Sequence, residues 1–481
     1  MKLLDLISNL NVVNTIGNLD VDIGDVQTDS NLVGNDSLFV CLKGNNFDGH
    51  DFIRQVERFG ARAVICEREL NVDIPQVIVK DCRESISIIA NDFYGNVDKK
   101  MKLVAVIGTN GKTTTSHLIK KILDKSDIPC GVIGTIGTYY GSEFIEPSLT
   151  TPDPLELNAI LKKMYDSGVK VVVMEVSAHA IHYQKIKGLK FYSAVFTNFS
   201  QDHLDFFKDM QAYEKAKLKF FEENDCEFVV TNSDDVVGTK ISSLCKKVLT
   251  YGIDNPADVF AIDVENTKKG CEFIINLFDC IFKVQLNLIG RFNVYNALAS
   301  ACSCALLGAK PVTVIKALNL VDGVAGRIEK VYDKEFKVFI DYAHTPDGLK
   351  KALEAVRDHA SNRLISVFGC GGNRDASKRE KMGEISATIA DVTVITSDNP
   401  RFEEPMDIIR QIEKGVLSVS KKFVSIEDRK EGIIYALGIA KAGDVVLISG
   451  KGSEQYQEVL GIKKPYNDKD IVNEFLRGKS H

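Results

Sequence analysis

The sequence predicts an α/β protein in three segments, on three observations. A short apolar run, Val104–Ile107, leads into Gly108-Thr109-Asn110-Gly111-Lys112-Thr113-Thr114-Thr115. Elsewhere, buried-looking runs of four to six residues alternate with helical spacing, which is the pattern of largely parallel, doubly wound sheets. The 481 residues are also too many for one core, and a prior of about 100–200 residues per domain gives three.

In order, residues 1–97 mix the apolar runs Ser37–Leu42, Ala63–Cys66 and Val77–Val79 with polar helical stretches, and read as a small α/β domain. Its odd stretch is the glycine-rich loop Leu42-Lys-Gly44-Asn-Asn-Phe47-Asp48-Gly49-His50-Asp51. That loop is either a plain turn or a backbone cradle in which His50 helps to hold a polar or anionic ligand. Lys99-Lys100 opens the second segment, 98–325, where Val171–Val176, Ala194–Thr197 and Phe228–Thr231 read as further strands. Glu175 ends one of them, and Asn198 follows another, ahead of Gln201-Asp202-His203-Leu204-Asp205. The stretch Val321-Asp-Gly-Val-Ala-Gly-Arg327 is short and glycine-rich enough to hinge. In the last segment, 326–481, the runs Val338–Asp341, Leu364–Phe368, Val392–Thr396 and Val445–Ser449 each end in a polar loop. Ligands bind at the carboxyl ends of such strands, so these loops read as a second ligand face.

The 108–115 stretch is a phosphate cradle. Leu118, Ile119, Ile122 and Leu123 place a helix over Thr113–Lys125. The glycines let backbone N–H groups close on an oxyanion, the helix end adds positive potential, and Lys112 adds a full charge. Thr113 stands where its hydroxyl meets a nucleotide's Mg²⁺. The usual spelling, G-x-x-x-x-G-K-[ST], needs a glycine at 106, where this chain has valine.

Bulk properties exclude several classes. A hydrophobic content of 44% with 26% charged residues is that of a globular protein, and a net charge of −6 gives no reason to expect nucleic acid. Eleven scattered cysteines, without a C-x-x-C pair, indicate neither a disulfide framework nor a zinc site. There is no signal-peptide core and no apolar run of about 18 residues, so a cytoplasmic protein is expected.

Five further stretches stand beside the phosphate loop: Thr150-Thr-Pro-Asp-Pro, Gly290-Arg-Phe-Asn-Val-Tyr-Asn296, Asp341-Tyr-Ala-His-Thr-Pro-Asp-Gly, Gly369-Cys-Gly-Gly-Asn-Arg374-Asp and Asp398-Asn-Pro-Arg401. With these and Asp202-His-Leu-Asp, the chain resembles the Mur ligases, ATP-dependent amide-forming enzymes of peptidoglycan synthesis. Among them it looks like the members that add the third residue to UDP-MurNAc-L-Ala-D-Glu. The shortened phosphate loop is the form these ligases use. The resemblance implies an N-terminal domain holding the UDP end, a central ATPase domain and a mobile, Rossmann-like C-terminal domain receiving the amino acid. It further implies a monomeric bacterial enzyme using ATP and Mg²⁺.

Residue by residue, the resemblance implies ATP contacts from Gly108 to Thr114 and from Asn293, Asn296, Arg327 and Asp341. Ser30, Gly44, His50, Thr150, Thr151, Ser177 and Lys185 would meet the UDP-muramoyl dipeptide. Thr113, Glu175 and His203 would hold Mg²⁺. Lys217 lies in Tyr213-Glu-Lys-Ala-Lys217-Leu-Lys-Phe-Phe and on its own reads as part of a solvated helix face. The family match instead makes it the lysine that becomes a carbamate (N6-carboxylysine), an anion able to bind metal where an ammonium cannot. Carbamylation needs the neutral amine, so burial should lower its pKa. Asp398, Asn399, Pro400 and Arg401, with Arg374, Gly450 and Glu454, would choose the amino acid. The D-N-P-R form resembles the enzymes that add meso-diaminopimelate, whose second carboxylate suits guanidinium forks. By itself, Arg401 reads as a surface residue pairing with Glu403 or Glu404.

The chain departs from the family pattern at Asn31 (for arginine), Ala178 (for serine), Lys185 (for arginine) and Ser453 (for histidine). Two other readings stay open: L-lysine as the amino acid added, or a nucleotide-switched binding protein that does not ligate.

Overall fold

The computed structural model describes residues 1–44, 47–420 and 422–478. The chain falls into two compact units, one of Met1–Ala105, Pro129–Ser193 and Glu223–Glu227, the other of Val106–Ile128, Ala194–Glu222 and Phe228–His481.

The first unit begins with a five-stranded sheet in the order Val12–Ile16, Gln76–Val79, Ala63–Cys66, Ser37–Val40, Asp25–Gln27. Its strands are parallel except for the exposed edge Val12–Ile16. Period-two side chains split Ser37–Val40 between two cores, with Leu38 and Val40 in one and Phe39 in the other. Helix Cys82–Phe93 starts at Asp81, whose carboxylate accepts from the N–H groups of Arg83 and Glu84. It is tied to the turn after helix Ala178–His182 by Ser87 Oγ to the Gln184 carbonyl (2.7 Å) and Gln184 Nε2 to Asp81 (2.6 Å). The same unit holds strand Val171–Glu175, parallel to Cys130–Gly134, which continues into two antiparallel hairpin strands, Gly137–Tyr140 and Glu143–Ile145.

In the second unit, strands run in the order Cys280–Leu286, Gly270–Leu277, Val259–Thr267, Val248–Gly252, Phe228–Asn232, Ser193–Phe196, Lys102–Ile107. The last of these enters from the first unit at Val106. The sequence anticipated the strands around 104, 194 and 228. The antiparallel meander over 259–286 was not anticipated, because its turn at Phe278-Asp279 carries no glycine or proline. Phe278 and Asp279 nonetheless take left-handed backbone (φ 51° and 61°), as a two-residue hairpin demands. Helix Arg291–Leu306 is buried along most of its length and packs on helix Lys112–Lys125 through small residues, with Ser300 Oγ donating to the Thr115 carbonyl at 3.3 Å.

The second unit also contains a six-stranded sheet ordered Glu329–Asp333, Lys337–Asp341, Val445–Ser449, Leu364–Phe368, Val392–Ile395, Phe423–Ser425. All pairs are parallel except the first, so the loops after Asp341, Phe368, Ile395 and Ser449 leave from one edge. Arg429 ties two of those ends together. It donates to the Ser397 carbonyl (3.3 Å) and the Ser449 carbonyl (3.0 Å), while Asp468 neutralises it at 2.7 Å. Both partners have no solvent exposure. Among the described residues no helix is long and apolar enough to cross a membrane.

Removing one partner of a fully buried ion pair strands the other charge. Asp468→Ala is therefore expected to cost about 3–5 kcal/mol of stability, read as a lowered midpoint in guanidinium chloride denaturation. An unchanged midpoint would show the pair to be energetically idle.

Candidate active site

The phosphate loop lies between strand Lys102–Ile107 and helix Lys112–Lys125. Gly108 and Gly111 have φ of 151° and 84°, and a Cβ at either would collide, at Gly108 with Thr197 Oγ1 and at Gly111 with Asn296 Oδ1. The loop is pinned from the next strand. Thr109 N donates to the Asn198 carbonyl (2.8 Å), Asn110 N to Asn198 Oδ1 (3.0 Å), and Thr197 Oγ1 to the Asn110 carbonyl (2.7 Å). Lys112 Nζ folds over the loop, donating to the carbonyls of Gly108 (3.0 Å) and Thr109 (2.8 Å).

A cavity of about 730 Å³ opens from this loop. Asn293 and Asn296 on helix Arg291–Leu306 line it, joined by Asn296 Nδ2 donating to Asn293 Oδ1 at 3.0 Å. Arg327 and Asp341 line it from across the glycine-rich linker. Arg327 Nη2 donates to Thr113 Oγ1 at 2.8 Å, with its guanidinium 4.5 Å from the Tyr342 ring. Burial raises the Asp341 pKa against the opposing Arg327 charge and the N–H bonds from Ile328 and Ala343, both 2.8 Å. Asn110 Nδ2 donates to Asp347 at 3.2 Å, a second link between the loop and the 326–481 segment.

Beside the loop, Asp202 is buried between two imidazoles, 3.3 Å from His203 Nε2 and 3.7 Å from His344 Nε2. Burial opposes its charge, yet the nearby imidazoles of His344 and His203 and the Lys378 cation hold its carboxyl well below the usual range, and His203 N donates to its Oδ1 at 2.9 Å. Lys217 is not on a solvated face. It is 1% exposed on helix Met210–Glu223, with its Nζ 4.6 Å from the Tyr213 ring centroid. Burial, reinforced by the Lys112 cation, pushes its pKa well below that of an ordinary lysine, against the weaker pull of Asp202 and Asp235. Helical spacing carries the signal: Lys217 stands four residues after Tyr213 and three and four before Phe220 and Phe221, on the one buried stripe of its helix, and its charge alone made it look solvated.

The loops of the second sheet gather the remaining sequence-predicted residues of this unit. Asn399 Nδ2 and Lys451 Nζ both donate to Glu454 Oε2 (3.1 and 2.7 Å). Gly450, at φ 117°, lets its loop pass Asp398, whose Oδ2 would be 2.5 Å from a Cβ there. Pro400 precedes Arg401, which takes left-handed backbone (φ 53°) and donates from Nη1 to the Gly372 carbonyl at 2.9 Å. Arg401 pairs with Glu458, not with Glu403 or Glu404, its Nε 3.2 Å from Oε2. Glu403 is instead gripped by buried Arg379 through both oxygens (2.8 and 2.9 Å) and also accepts from Asn373 N. Arg374 is exposed and lies 3.8 Å from Asp205.

In the first unit, Glu175 ends its strand with Oε1 accepting from Thr135 N (3.0 Å) and Oε2 from Thr135 Oγ1 (2.9 Å), and Gly134 leaves the room a Cβ would take from Oε1. Thr151 Oγ1 donates to the Glu175 carbonyl (2.9 Å) and accepts from Ser177 N (3.1 Å). Thr150 Oγ1 is 3.2 Å from Thr135 Oγ1, and Lys185 reaches Asp153 at 2.7 Å. His50 is buried with both ring nitrogens engaged, Nδ1 at 2.5 Å from Asp48 and Nε2 accepting from Glu67 N at 3.0 Å. It therefore shapes its loop from within, while Gly44 stays exposed and Asn45 and Asn46 lie outside the described residues. Exposed Asn31 donates to Asp29 Oδ1 from its backbone N (2.9 Å) and from Nδ2 (3.1 Å), beside half-buried Ser30.

Within the second unit the donor chemistry fits a magnesium nucleotide: the Thr113 hydroxyl follows the phosphate loop, and Asp202 lies beside it. Among the described residues no three His, Cys, Asp or Glu side chains sit close enough to hold a metal alone.

Three family models match the chain: the Mur ligase family catalytic domain at 22–97, the Mur ligase middle domain at 106–304 and the Mur ligase glutamate ligase domain at 326–452. The chain is 42% identical over 481 residues to UDP-N-acetylmuramoyl-L-alanyl-D-glutamate--2,6-diaminopimelate ligase of Geobacillus kaustophilus, covering 98% of both chains. It is 40% identical over 462 residues to the protein of that name from Bacillus velezensis, covering 94% of both.

The chain belongs to the Mur ligase family.

A solved structure of a diaminopimelate ligase of the same name superposes with a TM-score of 0.71 at 29% identity, over 100% of this chain and 99% of that one. MurF of Thermotoga maritima in complex with ADP shares the fold (TM-score 0.66, 22% identity, 95% and 98% coverage). Three features of this Mur ligase escaped the sequence reading: the Asp202–His344 contact, the Arg379–Glu403 clamp and the buried Lys451 beneath Glu454. Each joins residues far apart in the chain or hides a charge in a polar stretch, and local spacing signals neither.

Gly111→Ala would force a Cβ against Asn296 at positive φ. The expected result is at least a tenfold loss of ADP affinity, about 1.4 kcal/mol, by titration calorimetry. Unchanged affinity would mean that the loop does not cradle phosphate.

Proposed function

We propose that this chain joins meso-2,6-diaminopimelate to UDP-N-acetylmuramoyl-L-alanyl-D-glutamate, with cleavage of ATP. The observation that carries the reading is the near full-length likeness to ligases of that name, and the phosphate loop facing its cavity agrees with it. The reaction needs two steps. A terminal carboxylate oxygen of the D-Glu moiety attacks the γ-phosphorus, ADP leaves, and an acyl phosphate forms. The neutral amine of diaminopimelate then attacks the carbonyl carbon, loses a proton, and expels phosphate from the tetrahedral intermediate.

In this reading, the backbone of Gly108–Thr114 and the Lys112 ammonium hold the phosphates, with Asn293, Asn296, Arg327 and Asp341 around the nucleotide. Mg²⁺, when bound, neutralises phosphate and carboxylate so that they can approach. Thr113, Glu175, His203 and Lys217 as its carbamate are the residues proposed to hold it. Burial lowers the Lys217 pKa and so favours the neutral amine, the form that adds CO₂.

The division of labour follows the three segments. Residues 1–97 take the uridine end through Ser30, Gly44 and the loop shaped by His50. Residues 98–325 carry the ATPase centre, with Thr150, Thr151, Ser177 and Lys185 on the muramoyl dipeptide. Residues 326–481 take the amino acid through Arg374, Asp398, Asn399, Pro400, Arg401, Gly450 and Glu454. Arg401 offers its guanidinium to the far carboxylate. Glu454 is already paired with Lys451, so it would share the substrate ammonium with that cation. We place the enzyme, as a monomer, in the bacterial cytoplasm, where nucleotide substrates occur.

Incubation with UDP-dipeptide, ATP and either meso-diaminopimelate, L-lysine or L-ornithine tests the reading. ADP release that requires both the UDP-dipeptide and meso-diaminopimelate is expected, and release without either one contradicts it. Lys217→Ala should abolish turnover, with partial rescue by a short carboxylic acid, and the intact wild-type mass should exceed the sequence mass by one CO₂. Full activity of that variant rules the carbamate out.

A further inference from the structure

Arg401 has a resident carboxylate. Glu458 lies on strand Tyr456–Val459, paired antiparallel with Ile462–Pro465 in a two-stranded hairpin of its own. That hairpin is bound to the Asp398–Arg401 loop. Glu458 N donates to Asn399 Oδ1 (2.9 Å), Arg401 N to the Glu458 carbonyl (3.2 Å), and Leu460 N to the Arg401 carbonyl (2.7 Å). The Glu458 side chain is thus delivered to Arg401, Oε2 3.2 Å from Nε, with each side chain only 20% exposed.

The other carboxylates nearby are committed elsewhere. Glu454 is paired with Lys451 at 2.7 Å, and Asp398 Oδ1 accepts from Asn399 N at 2.6 Å. Across the hairpin, Lys463 stands opposite Glu458 in register, but its Nζ lies 4.4 Å from the Tyr456 ring. Arg401 Nη1 is occupied by the Gly372 carbonyl, which is uncharged. Glu458 is therefore the carboxylate that balances the Arg401 charge among the described residues.

A half-buried guanidinium that already faces one carboxylate attracts a second more weakly, because the two anions repel across it. We propose that Glu458 is a specificity-determining residue of the amino-acid pocket: it weakens the hold of Arg401 on the substrate's far carboxylate and so narrows the preference for a dicarboxylic over a monocarboxylic diamino acid. The inference rests on the proposed role of Arg401 in binding that carboxylate.

Glu458→Gln keeps the shape and removes the charge. KM for meso-diaminopimelate is expected to fall about threefold or more, while KM for L-lysine does not fall. The gap between variant and wild type should shrink as salt rises towards 0.5 M, since the effect is electrostatic (Debye length roughly 4 Å there). KM for ATP serves as the check on folding. A diaminopimelate KM that stays the same or rises overturns the proposal, since Glu458 would then be inert or would merely orient Arg401. Arg401→Ala, measured alongside, separates the two layers. It should raise the diaminopimelate KM, and if it does not, the amino-acid reading itself fails together with the inference.

Discussion

Neither glycine of the phosphate loop has room for a side chain, and that constraint organises the second unit. At Gly108 and Gly111 the backbone passes so close to Thr197 and Asn296 that only a missing Cβ allows it. In return, the loop's polar groups are held by Asn198 and Thr197, whose own carbonyl accepts from Asn232 Nδ2 (3.1 Å) and the Tyr251 hydroxyl (3.3 Å). Each such bond contributes about 1 kcal/mol net, whereas leaving one of these buried groups unpaired costs roughly 1–3 kcal/mol. The loop is therefore preorganised before any ligand arrives.

Charge on the 326–481 side is arranged around that loop. Arg327 reaches Thr113, Asp347 reaches Asn110, and His344 shares Asp202 with His203. Two buried groups show which effect wins in each case. At Asp202, hydrogen bonds and nearby cations overcome desolvation, and the carboxylate stays charged. At Lys217, desolvation and the Lys112 cation outweigh two carboxylates, and the amine tends to neutrality. One neighbourhood thus keeps an anion and disfavours a cation on Lys217, a balance that suits the binding of a metal cation and not, by itself, of an anion.

Much of this could be read from residue order. The phosphate loop, its flanking strand and helix, and the strands ending near Asp341, Phe368, Ile395 and Ser449 follow from apolar runs bounded by glycine and polar residues. The strands over 130–145 and 259–286 did not, because antiparallel ribbons show only weak alternation; glycines do mark the turns at Gly137, Gly141 and Gly270, and only Phe278-Asp279 turns without one. Within the site, residue types were legible but partners were not. Nothing local says that Arg401 meets Glu458, 57 positions on, rather than Glu403 two residues on. Nor does local sequence say that His50 spends one nitrogen on Asp48 in its own loop and the other on Glu67 N after strand Ala63–Cys66. Burial of Lys217, by contrast, was legible, because it shares a helical stripe with Tyr213, Phe220 and Phe221.

The central claim is that the cavity beside this loop activates a carboxylate by phosphorylation. It is tested most directly by following oxygen. UDP-dipeptide labelled with heavy oxygen in the terminal D-Glu carboxylate should yield inorganic phosphate carrying one labelled atom per turnover. Unlabelled phosphate accompanying amide formation would contradict an acyl phosphate, and with it the account of the site.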